Sequence, residues 1–129
     1  MSYYLFLDDE RQVYDVKWMR LPNDEQWLVA KNYGQFVDTV MDLGLPKFVS
    51  FDHDLADFHY RVGSMENESS AFGGLNRTFH YGQEKTGYDA AKWLVDYCIF
   101  HKLKFPEYAV HSLNAVGGKR ISDYIKRYA

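Results

Sequence analysis

The sequence predicts an open α/β fold built on a mostly parallel sheet, and three observations carry that prediction. Short runs that are apolar at nearly every position recur along the chain, at Tyr3 to Leu7, Phe48 to Phe51 and Tyr108 to Val110. Such runs are too short for helices and match strands buried on both faces. Segments with apolar residues at helical spacing lie between them, the alternation of a sheet with right-handed crossovers. Each run then ends in a polar cluster, and the carboxyl edge of a parallel sheet is where open α/β folds place their ligands.

The elements follow in order. Tyr3 to Leu7 ends in Asp8-Asp9-Glu10-Arg11. Residues 11 to 25 are polar with scattered aromatics and contain Leu21-Pro22-Asn23-Asp24, a turn signal, so they form either a hairpin arm leading into Trp27 or a helix. Trp27 to Ala30 is a weaker fourth strand. A helix follows over Gln35 to Leu43, with Phe36, Val37, Val40 and Met41 as its stripe and Gly44 then Pro46 as its stop. Phe48 to Phe51 ends in Asp52-His53-Asp54. Residues 55 to 85 are longer than a structureless connection usually is and are punctuated by Gly63, Gly73, Gly74 and Gly82, so they make either a flap or a surface loop. The clearest helix covers Thr86 to His101, where Ala90, Ala91, Leu94, Val95, Cys98 and Ile99 form the stripe and Thr86 with Asp89 resembles a capping box. Tyr108 to Val110 ends in His111-Ser112-Leu113-Asn114, and a last helix over Gly117 to Tyr128 buries Ile121, Tyr124 and Ile125.

A chain of 129 residues fits one domain, residues 1 to 129, and at 47% hydrophobic and 26% charged it can bury a core. Fifteen Lys and Arg against eighteen Asp and Glu give a formal net charge of −3, so no general cationic field draws in a nucleic-acid backbone. Duplex DNA is not an expected partner, and any nucleic acid needs a local basic patch. The one cysteine, Cys98, cannot form an intramolecular disulfide, and no apolar run approaches the roughly 20 residues of a membrane span. With no signal-peptide pattern either, the chain reads as cytosolic and without a membrane partner. Aromatic residues reach 18%, more than the core easily hides, so some are expected to line a surface or a site.

If the three strong strands are parallel, their polar ends converge. Four carboxylates, Asp8, Asp9, Asp52 and Asp54, would then repel one another unless protonated or neutralised by a cation. Oxygen donors select a hard divalent ion, Mg²⁺ or Mn²⁺, and the same residues can equally serve as strand-end and helix caps. Asp52 and Asp54 share a face only if the strand continues through His53. His53 and His111 are the candidate general acid and base, because imidazole titrates near neutral pH. Ser112 and Asn114 offer a hydroxyl and an amide to a phosphate. The Asn114 to Gly118 turn opens a helix whose free N–H groups favour anions, with Gly117 allowing close approach and Lys119 and Arg120 alongside. Arg11 adds a further positive charge.

Four stretches together resemble the cyclic-phosphate processing receiver domains common in bacteriophages and bacteria. They are Leu5-Phe6-Leu7-Asp8-Asp9-Glu10-Arg11, Val49-Ser50-Phe51-Asp52-His53-Asp54-Leu55, Lys85-Thr86-Gly87-Tyr88-Asp89-Ala90-Ala91, and Val110-His111-Ser112-Leu113-Asn114 with Gly117. The resemblance implies a small receiver-like (flavodoxin-like) three-layer sandwich, with a mostly parallel four- to five-stranded sheet and a long insertion. It implies a metal held by Asp8, Asp9 and Asp52, with the extra His, Ser and Asn positions contacting a phosphate. Val13 and Ala115 stand where the family pattern has proline, which bears on loop rigidity and removes no reactive group. Four readable strands and the lack of the receivers' lysine strand argue against a standard phosphorelay role.

The expectation is a divalent-metal-dependent phosphoesterase acting on a cyclic phosphate, either a 2′,3′-cyclic RNA end or a cyclic nucleotide. Asp52, His53 and His111 would be catalytic, Asp8, Asp9, Asp52 and Asp54 would bind the metal, and Arg11, Ser112, Asn114, Gly117 and Lys119 would bind phosphate. The setting implied is a bacterial or phage-infected host cytosol. Phe72, Phe79 and Tyr81 in the flap would stack on a base. The alternative is a non-catalytic module that holds a phosphate or nucleotide, or a domain phosphorylated at Asp52. Val110-His111-Ser112-Leu113 also matches half of a two-histidine phosphoesterase signature, but the required second His-x-Ser/Thr is not present.

Overall fold

The computed structural model describes residues 2–55 and 85–129. The expected flap and its aromatics Phe72, Phe79 and Tyr81 lie outside the described residues. Four strands, β1 (Tyr4–Leu7), β2 (Trp27–Ala30), β3 (Phe48–Phe51) and β4 (Glu107–Val110), form one sheet in the order β2-β1-β3-β4. All three pairings are parallel. Every residue of the central strand β1 is buried, which is why its sequence Tyr-Leu-Phe-Leu shows no polar alternation.

Three helices complete the described fold: α1 (Tyr33–Leu43), α2 (Gly87–His101) and α3 (Ala115–Tyr128). α1 packs on α2 and α2 on α3, and all three cover the face that carries Leu5, Leu7, Val49 and Phe51. Right-handed crossovers from β2 to β3 and from β3 to β4 put α1 and α2 on this face, and α3 packs beside α2. The other face carries the aromatic cluster of Tyr4, Phe6, Trp27 and Phe48. There Trp27 Nε1 donates to Pro22 O and the Tyr4 hydroxyl bonds to Asp24, so a loop rather than a helix flanks this side.

Residues 11 to 25 are therefore neither hairpin nor helix. They contain one 3-10 turn, Val13–Asp15, and otherwise run irregularly between two parallel strands, a geometry that excludes a hairpin. Helix starts also shift from the pattern. Asn32 caps α1 by accepting from Gln35 N, and Asn114 caps α3 by accepting from Gly117 N, so both helices begin two residues before their apolar stripes suggest. The capping box of Thr86 and Asp89 is present. Met41 and Ile99, expected on buried stripes, are exposed, because each lies at the margin of a face whose centre is Phe36 and Val40 or Leu94 and Cys98. α1 stops at Gly44, whose φ of 91° an L side chain rarely adopts. Among the described residues no helix is long and apolar enough to cross a membrane.

Candidate functional site

Register builds the site. Leu7 pairs with Ala30 and Phe51, and Phe51 with Val110, so the strands end level. The ladder runs one residue further through Asp8 N to Ala30 O, Asp52 N to Leu7 O and His111 N to Phe51 O, at 2.9–3.0 Å. Leu7, Phe51 and Val110 face the helices, so strand alternation turns Asp8, Asp52 and His111 to the opposite face. One ligand-capable atom from each lies within 4.8 Å of the others, and all three residues are buried.

Asp8 is held from several directions. Its Oδ1 accepts the backbone N–H groups of Glu10 and Arg11 at 2.9 and 2.8 Å, and its Oδ2 accepts from His111 Nε2 at 2.9 Å. Arg11 Nη1 approaches the same oxygen at 3.4 Å. Burial pushes the Asp8 carboxyl up, but the His111 bond and the two backbone donors outweigh it and hold Asp8 below the usual carboxylate range.

Asp52 has the opposite balance. Burial, then the neighbouring Asp8 charge, push it up to about 6, against partial relief from His111 and Arg11. Two buried carboxylates side by side, one of them resisting ionisation, form a donor set that a hard divalent cation would neutralise, with water completing its shell. Asp8 and Asp52 fit such an ion by chemistry and placement.

His111 is fully buried. Its ring stacks on Phe6, with centroids 4.3 Å apart and planes 7° from parallel, while Nδ1 meets Ser50 Oγ at 2.6 Å. Ser50 Oγ thus holds one ring nitrogen and the Asp8 carboxylate the other. Both nitrogens are engaged, so the structure places His111 to orient Asp8, away from the cleft surface. Neither partner, Ser50 nor Phe6, stood among the expected site residues. The available signal was a lone hydroxyl inside the apolar run Phe48 to Phe51.

Beyond the strand ends, Asp9, Glu10, Arg11, Asp52, Asp54, Ser112, Leu113 and Asn114 line a cleft of about 170 Å³. Asp9 stands on this rim and is not part of the three-residue cluster. Asp54 is also apart from it: its Oδ1 accepts from His53 Nδ1 at 2.9 Å, and both its oxygens lie 3.3 Å from Asn114 Nδ2. Asn114 Oδ1 accepts from Gly117 N at 2.9 Å. A Cβ at Gly117 would lie 2.4 Å from His53 Cγ, so glycine is what lets the ring seat there. His53, Asp54, Asn114 and Gly117 thus close a ring of contacts around one imidazole. Asn114 and the Gly117 N–H, expected on a phosphate, are committed to this ring. Ser112 Oγ accepts from Asn114 N at 3.0 Å and keeps its own proton to donate. Lys119 does not line the cleft and bridges Asp123 at 2.8 Å on the exposed side of α3.

Gly87, which the pattern marked only as part of a motif, holds the site to α2. Its N–H donates to His53 O at 2.8 Å, and a Cβ there would stand 1.7 Å from Asp52 O.

Comparison with known proteins found no match among curated proteins or solved structures. A model of the family described as the cyclic-phosphate processing receiver domain matches residues 3–127, which includes every residue of this site. The chain belongs to the cyclic-phosphate processing receiver domain family.

Proposed function

We propose that this chain is a divalent-metal-dependent phosphoesterase that opens a cyclic phosphate. The observation that carries the reading is the adjacency of Asp8 and Asp52 at level strand ends, beside a cleft whose lining residue Asp54 holds the His53 imidazole. Asp8 and Asp52 would hold Mg²⁺ or Mn²⁺, and Asp9 on the cleft rim would add negative charge beside it. When bound, the ion supplies Lewis-acid polarisation of a phosphoryl oxygen and an acidified water.

The residues divide the remaining work. Arg11 and the Ser112 hydroxyl donate to the nonbridging phosphate oxygens. His53, fixed at Nδ1 by Asp54, moves the proton at its other ring nitrogen. A P–O bond forms to water, the ring P–O bond breaks, and the proton lost by water ends on the leaving sugar oxygen. His111 and Ser50 keep Asp8 ionised and aimed. A cyclic RNA end and a cyclic nucleotide both present this chemistry.

Phosphorus NMR of purified protein with Mg²⁺ or Mn²⁺ and either cyclic substrate tests the reading. Opening to a monoester is expected, with loss of activity in Asp52→Asn. Retention of full activity in that variant would defeat the metal mechanism. Intact mass after acetyl phosphate with Mg²⁺ addresses the competing phosphoacceptor role, because a stable single phosphoryl adduct at Asp52 without turnover would favour it.

A further inference from the structure

Tyr88 on α2 and Arg120, Tyr124, Arg127 and Tyr128 on α3 line an open groove of about 630 Å³ that the cleft chemistry does not use. The rings touch in series: Tyr88 meets Tyr124 edge-on at 5.6 Å between centroids, and Tyr124 meets Tyr128 at 4.6 Å. Cations lie over them. The Arg120 guanidinium stands 4.3 Å from the Tyr88 centroid, Lys92 approaches the same ring at 5.2 Å, and Arg127 lies 5.6 Å from Tyr128. Asp123, the acidic residue on the lining, is paired with Lys119. A chain of formal net charge −3 therefore gathers cations at this place.

We propose that this groove binds single-stranded polynucleotide and delivers its cyclic-phosphate end to the Asp52 cleft. The second clause rests on the phosphoesterase reading, whereas the binding itself does not. Position supports the link. Gly117 abuts His53, and Arg120 follows three residues on, about 4.5 Å along the axis. Tyr88 directly follows Gly87, which abuts Asp52. From residue 120 to residue 128 the groove runs about 12 Å further, room for about three nucleotides stacked at about 3.4 Å.

Chemistry selects the occupant. Unpaired bases stack on tyrosine faces and guanidinium planes while arginines take the phosphates. A duplex hides its bases, an acidic peptide leaves the rings without stacking partners, and a free cyclic mononucleotide reaches none of the groove beyond its first turn.

The test is fluorescence anisotropy in EDTA, using an eight-nucleotide single-stranded RNA with a plain 3′-hydroxyl end, so that binding is read without turnover. Arg120→Gln with Arg127→Gln should weaken binding about 10-fold or more, and Tyr128→Ser about 5-fold or more. These side chains are outside the core, and melting curves verify that the variants fold. Hydrolysis of a cyclic mononucleotide should stay unchanged in the variants, while KM for a cyclic-ended hexanucleotide rises. Equal RNA affinity for wild type and both variants would overturn the proposal, as would displacement by duplex or by an acidic peptide at equal concentration. If no cyclic phosphate is opened but groove-dependent binding persists, the phosphoesterase reading alone fails. If both substrates are opened with KM values untouched by the variants, the groove alone fails.

Discussion

Asp52→Asn should make the ion-free protein more stable, although it removes a central side chain of the site. Asp52 is 5% exposed and faces Asp8, and its carboxyl is pushed from 3.8 to about 6. At 1.36 kcal/mol per pH unit this displacement corresponds to about 3 kcal/mol against ionised Asp52 in the fold. The cleft opens on this group, and solvent screening trims the figure to about 1–2 kcal/mol. Asn keeps the shape and drops the charge. For 129 residues the unfolding entropy is about 0.27 kcal/mol per degree, so Tm should rise by about 4–7 °C at pH 7.5 in EDTA.

The pH dependence fixes the sign. Between about pH 4 and 6 the folded state binds more protons at Asp52 than the unfolded chain does, so this group's contribution to stability falls as pH rises through that window. The advantage of Asn should therefore shrink as pH falls below 6 and approach zero only below about pH 3.8. Excess Mg²⁺ or Mn²⁺ should reverse the order, because wild type gains about 2.7 kcal/mol at 100 times Kd and the variant does not. Differential scanning fluorimetry reads all of this. A lower Tm for Asp52→Asn in EDTA at pH 7.5 would refute the electrostatic reasoning.

Three further substitutions probe what holds the site. Gly87→Ala forces a Cβ into the Asp52 backbone and should cost about 2–3 kcal/mol, seen as a Tm fall of about 7–11 °C. Ser50→Ala leaves His111 Nδ1 buried without its partner and should cost about 1–3 kcal/mol by urea denaturation, with weaker cation binding as Asp8 loses its orientation. Asn114→Ala should lower Tm by about 4 °C through the lost α3 cap and also reduce turnover. Asn114→Asp should restore the cap but not the turnover, because it sets a carboxylate against Asp54.

Convergence of Asp8, Asp52 and His111 was readable from the sequence because it needs only strand ends and parallel pairing. Each acidic or histidine residue directly follows an apolar run, and level registers do the rest. The division of labour between the histidines was not readable. His111 is buried by Phe6 and Ser50, contributed by two other strands, and no spacing within one segment encodes that contact. Asp54 likewise owes its place to Asn114, 60 residues away. The segment 11–25 misled because its turn residues are compatible with a hairpin, whereas the choice is made by β2 pairing parallel to β1. Gly117 was marked for close approach to a ligand, and what approaches it is the His53 ring.

Under the proposed function, Asp8 and Asp52 would hold one divalent cation, and opening of a cyclic phosphate would depend on it. Titrating Mn²⁺ while following monoester formation by phosphorus NMR and Tm in parallel samples tests it most directly. Turnover and thermal stabilisation should rise with one shared midpoint, and Asp52→Asn should abolish both. Turnover that persists in EDTA, or in Asp52→Asn, would contradict it.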